Sequence, residues 1–153
     1  YWQDENNTLL SYYAQYDFYV NSNMTVTAVT SEEEVPVEPL VSFRGDKYTI
    51  AEEASTVTFL TTIDIPDEYT NLEWGVLVST KLDEFDYDTS GVLKIQDTDA
   101  SVITSKYADS SIRLTMEALF TRHVLLRARA YAKVQDATGQ SRTIYSDVIS
   151  IQL

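Results

Sequence analysis

Cysteine is missing from this chain. Neither a disulfide framework nor a thiolate-held metal is open to it, so stability has to come from a packed core. Histidine occurs once, as His123, which rules out a multi-histidine zinc site. Basic residues are scarce: 11 Lys and Arg stand against 24 Asp and Glu, for a formal net charge of −13 at pH 7. That balance argues against nucleic acid, whose phosphates need a basic patch, and against anionic membrane surfaces. No apolar run approaches the ~20 residues of a membrane-spanning helix. No G-x-S-x-G elbow occurs, and the paired acids Asp97 and Asp99 have no helix–loop scaffold around them, so no enzyme activity is expected. The chain opens on Tyr1-Trp2-Gln3-Asp4 with no basic or apolar lead, as expected of a segment cut from a longer protein.

What is present is β-sheet grammar. Residues 123–153 read as two long strands and a turn. Val124, Leu126, Ala128, Ala130 and Ala132 alternate with Arg127, Arg129, Tyr131 and Lys133, which implies one buried and one wet face. Asp136-Ala137-Thr138-Gly139-Gln140 supplies the turn, and the return strand is rich in Thr, Ile, Tyr and Val. Upstream, strands are expected over 41–43 and 47–50, 56–65, 72–79, 91–95, 102–104 and 110–119, with a one-turn helix over 116–120 as the alternative at the end of the last. Short strands, turns and no amphipathic helix point to an all-β, antiparallel β-sandwich over 40–153. Residues 31–39 carry two prolines and four acids, the composition of a semi-stiff linker. Residues 1–30 hold a polar turn over 3–8 and three short strands, over 9–13, 16–20 and 24–29, which need a further strand or a neighbour to bury their surface.

Within 2–29, the pattern W-x-D-x-x-N, S-Y, Y-D-F-Y-V, M-T-V-T-A-V resembles the internalin-type (Listeria–Bacteroides-type) β-repeats of bacterial surface proteins. The family's opening strand would precede Trp2, so the resemblance implies a truncated, partial repeat. Within 56–153, E-W-G-V-L-V-S-T, R-A-R-A-Y-A-K-V and T-I-Y-S-D-V-I-S-I resemble bacterial fibronectin type III or immunoglobulin-like domains. Where that family often places a Tyr or Phe at the start of the R-A-Y strand, this chain has His123, with Phe120 nearby. Together the resemblances imply a fibronectin type III/immunoglobulin-like sandwich behind a small repeat, located extracellularly or on a bacterial cell surface. They imply a non-catalytic structural or adhesion module whose partners are neighbouring domains of the same chain and a host protein or glycan. The alternative is a glycan- or calcium-binding accessory module of a secreted hydrolase.

Three stretches are candidate sites. Asp86, Asp88, Ser90 and Asp97 match the spacing of a calcium loop, with oxygens at positions one, three and five, Gly91 for the turn and an acid at position twelve. Lys94 at position nine and the lack of flanking helices favour an acidic inter-strand loop instead. Arg127, Arg129 and Tyr131, continued by Lys133, form the one basic, aromatic stripe of an acidic chain. The stripe is a candidate partner-binding face, set against ordinary pairing with neighbouring acids. Arg44-Gly45-Asp46 matches the integrin-binding tripeptide, and a turn is the plainer reading of it.

Overall fold

The structure, a computed structural model, describes residues 1–11, 24–28, 38–97 and 106–153. The chain is all-β: two antiparallel sheets face each other as a sandwich, preceded by a small third sheet. The expected strands over 16–20 and 102–104, and most of the expected linker, lie outside the described residues.

The small sheet has the order β2-β1-β3, with β1 at Trp2–Asp4, β2 at Leu9–Ser11 and β3 at Val26–Ala28. The polar turn starts later than expected, after Asp4. The Asp4 carboxylate accepts the backbone N–H groups of Asn6 and Thr8, each at 2.8 Å, and so closes the turn itself.

One sheet of the sandwich runs β4-β5-β8, from β4 (Leu40–Ala51), β5 (Thr56–Asp64) and β8 (Tyr107–Thr115). The two short strands expected over 41–50 are one strand with an irregularity between Phe43 and Tyr48. The other sheet runs β10-β9-β6-β7, from β6 (Thr70–Ser79), β7 (Leu93–Gln96), β9 (Leu125–Gln135) and β10 (Ser141–Tyr145). A final strand, β11 (Ile149–Gln152), pairs with the first half of β9. A one-turn helix, α1 (Glu117–Thr121), leads from β8 to β9; the strand expected to reach residue 119 stops at Thr115 and gives way to it.

The closing hairpin departs from expectation in its return arm, which is split at Ser146. There the Ser146 hydroxyl accepts the Ala130 N–H at 2.9 Å while the Ser146 N–H donates to the Ala130 carbonyl at 3.0 Å. A side-chain oxygen thus takes one place in the ladder, and the chain steps from β10 to β11 without leaving a backbone donor bare. The turn forms as expected, with Gly139 at φ 88° and the Asp136 N–H donating to the Gln140 carbonyl at 2.9 Å.

The core lies between the two sheets. Val57, Phe59 and Ile63 of β5 meet Trp74, Val76 and Val78 of β6 and Leu126, Ala128, Ala130, Ala132 and Val134 of β9. The alanines of β9 face the bulkier side chains, an alternation that lets the layers interdigitate.

Candidate functional site

The second face of the larger sheet is covered, and it holds the sequence-predicted stripe. At the end of β6 the Ser79 hydroxyl accepts the N–H groups of Lys81 and Leu82 at 3.2 and 3.1 Å, turning the chain back over the sheet. Residues 80–92 then lie across it. Phe85 packs with Leu77 and Tyr131 into a third apolar cluster, flanked by Leu82, Tyr87, Val92, Tyr145 and Val148. The expected wet face of β9 is therefore not wet at its centre: Tyr131 is fully buried. Gly75 makes this possible. A Cβ there would lie 2.3 Å from the Ile95 carbonyl oxygen and 2.8 Å from the Tyr131 ring. The aromatic ring occupies the space that glycine leaves on the sheet.

Polar groups in this layer satisfy one another. The Tyr131 hydroxyl donates to Glu73 Oε1 at 2.6 Å, and the Tyr87 hydroxyl donates to the same oxygen at 3.1 Å. The two rings meet edge-on, 5.1 Å between centroids. The ammonium groups of Lys94 and Lys133 sit 3.7 and 3.6 Å from the Tyr87 ring centroid. Burial works against ionisation of Glu73. Hydrogen bonds from Gln96, Tyr131 and Tyr87 and the Lys133 charge outweigh it, and Glu73 stays below the usual carboxylate range. Burial first, then the hydrogen bond to Glu73, pushes the Tyr131 phenol well above its ordinary value. The Tyr87 contact, and behind it the Glu73 charge, hold Lys133 above its ordinary value.

The stripe's two arginines are committed to the same cover. Arg129 donates from Nε to the Ser146 carbonyl at 2.7 Å and from a terminal nitrogen to the Phe85 carbonyl at 3.0 Å, and its guanidinium lies over the Tyr145 ring. Arg127 pairs with Asp83 at 2.5 Å. The structure thus brings Arg127, Arg129 and Tyr131 together, but beneath or against residues 80–92. Glu73, Phe85 and Tyr87, which complete the cluster, carried no signal in the sequence, and Lys94 entered only as the ninth position of the calcium-loop pattern.

The calcium-loop residues are spread apart. Asp86 is spent on its own turn, its carboxylate accepting the Asp88 N–H and the Thr89 hydroxyl, each at 3.0 Å. Asp88 and Ser90 are exposed. Asp97 lies beyond β7, whose four extended residues carry it about 13 Å further along the sheet. There its N–H donates to the Trp74 carbonyl at 2.8 Å and its carboxylate accepts the Ser110 hydroxyl. A calcium loop folds its first and twelfth positions onto one ion, whereas here a paired strand holds them apart. Among the described residues, no three His, Cys, Asp or Glu side chains gather so as to hold a metal ion.

Arg44-Gly45-Asp46 falls in the irregular stretch of β4, where Gly45 and Lys47 have φ of 57° and 71°. Arg44 is folded back, with Nε 3.3 Å from the Thr61 carbonyl and 3.7 Å from Asp109. His123 sits between α1 and β9 at φ 50°, its carbonyl accepting the Gln152 side-chain amide at 3.0 Å. It lines a cleft of about 170 Å³ with Ile50, Glu52, Phe120, Gln152 and Leu153.

In comparisons with known proteins, no family model matches the chain and no curated protein matches it.

Proposed function

We propose that the chain is a non-catalytic structural or adhesion module of a bacterial cell-surface or secreted multi-domain protein. On this reading it is a fibronectin type III/immunoglobulin-like sandwich behind a truncated internalin-type repeat, and its partners are neighbouring domains of the same chain. The supporting observation is a set of side-chain contacts at the joint between its two β units. Ser11 of β2 donates to Asp64 of β5 at 2.9 Å in a buried contact. Just ahead of β4, the Glu38 carboxylate pairs with Arg142 of β10 and accepts the Tyr69 hydroxyl at 3.5 Å. A spacer has to pass orientation and load from one unit to the next, and side chains that bridge the joint serve that purpose. The covered outer face fits the same reading, since its charged groups are spent inside the module.

Single-molecule pulling on the chain tethered at both ends tests the proposal. The expected record is a discrete force peak that releases the sandwich in one step. Smooth extension without a peak would overturn the load-bearing role. A calcium titration that releases heat, or hits on a glycan array, would move the assignment to the accessory-module alternative.

A further inference from the structure

The Ser11–Asp64 contact carries a consequence beyond joining two units. Side chains on β5 alternate, so Val57, Phe59, Thr61 and Ile63 enter the core while Asp64 belongs to the outer face of the three-stranded sheet. An aspartate on an outer face is ordinarily solvated. Here Asp64 is only 5% exposed and Ser11 1% exposed. Among the described residues, the Ser11 hydroxyl is the one hydrogen-bond partner of the Asp64 carboxylate.

Among the described residues, no charged group on the neighbouring elements pairs with this carboxylate. On β8, Tyr107 lies directly across from Asp64, and Asp109 is engaged by Thr62 at 2.5 Å and by Arg44. Lys106 directs its ammonium to the carbonyls of Pro66, Asp67 and Tyr69. Asp67 and Glu68, in the same turn, are exposed. Next to β4, Glu38 is held by Arg142. On the small sheet, Asp4 caps its own turn. A carboxylate removed from water with a single hydroxyl for company favours its neutral form.

We propose that the Ser11–Asp64 contact makes the seating of the small sheet on the sandwich acid-responsive, closing as Asp64 takes up a proton and loosening as the proton leaves. Burial, offset only in part by the Ser11 hydrogen bond, raises Asp64 from 3.8 to about 6. The seated form therefore binds the proton more tightly than the open form. The gain is complete below pH 3.8 and is lost as pH rises through about 6. For an open form with Asp64 at its ordinary value, seating is favoured about tenfold more at pH 5 than at pH 7.5. The inference is independent of what the module contacts, because its readout is the joint alone.

Amide hydrogen exchange on the whole chain tests it. Protection of the β1 and β2 amides, corrected for the intrinsic pH dependence of exchange, is followed from pH 5 to 7.5. The wild type is expected to gain up to about tenfold protection at the acid end. Asp64→Asn, a neutral isostere, is expected to show high protection that is flat with pH, while the sandwich amides stay as in the wild type. A flat wild-type profile, or an Asp64→Asn profile with the wild-type slope, overturns the proposal. If the variant perturbs the fold, carbon-13 titration of the wild-type Asp64 carboxyl decides: a midpoint near 6 supports the proposal and one near 4 overturns it.

Discussion

Thr61 points into the core between Phe59 and Ile63, fully buried, and its hydroxyl has no hydrogen-bond partner. A buried hydroxyl left unpaired costs about 1–3 kcal/mol. Thr61→Val keeps the shape and removes the polar atom. We expect the variant to gain about 1 kcal/mol of stability, and denaturant unfolding would contradict this by showing an equal or larger loss. Gly75 behaves in the opposite sense. Its missing side chain leaves room for the Ile95 carbonyl and the Tyr131 ring, and neither can withdraw without displacing β7 or the aromatic cluster. Gly75→Ala should destabilise by about 1–3 kcal/mol through overpacking. An unchanged melting temperature would mean that the sheet gives way at little cost.

Among the elements, the segment over 80–92 decides how the larger sheet meets solvent. It has no regular structure to hold it, so its position depends on side chains: Phe85 in the third cluster, Tyr87 between Glu73 and two lysines, and Asp83 on Arg127. Tyr87 makes the most varied of these contacts. Tyr87→Ala removes a ring contact, a charge-assisted hydrogen bond and two cation–π contacts while leaving the inter-sheet core intact. The segment is expected to loosen while the sandwich stays folded. Trypsin should then cut faster at Lys81 and Lys94, at an unchanged circular dichroism spectrum. Equal cleavage rates in the two proteins would show that Phe85 and Asp83 suffice.

At the scale of the molecule, the acidic excess acts on everything at once. Twenty-four acids against eleven bases leave −13, and the described ion pairs use only part of the acidic side chains. Self-repulsion of that size works against the compact state, and salt screens it over about 10 Å at 0.1 M. Melting temperature is therefore expected to rise between 10 and 200 mM sodium chloride, whereas a fall would show that the ion pairs outweigh the repulsion. The joint between the small sheet and the sandwich belongs to this scale too. The short strands of residues 1–30 leave surface in need of a neighbour, and β2 finds it at the end of β5.

The all-β sandwich was legible because strand periodicity is local. From Leu126 to Val134, every second residue is small or aliphatic, and that alone sets which face of β9 turns inward. The absence of cysteine and the single histidine likewise closed off whole classes of metal chemistry. What lies on the second face of a sheet is not local. Arg127, Arg129 and Tyr131 have the same spacing whether water or residues 80–92 cover them, and the path of that segment depends on Gly75 and Glu73 of the preceding strand and on Tyr145 far along the chain. Asp86 and Asp97 fit the spacing of a calcium loop, yet β7 pairs with β6 and draws them apart. Asp64 looks like an ordinary strand-end acid until β2 settles over it. Sequence determined which residues turn toward the core, because alternation is a property of the backbone. Tertiary structure alone decided which of the remaining polar residues water reaches, because that depends on contacts between segments that no local pattern encodes.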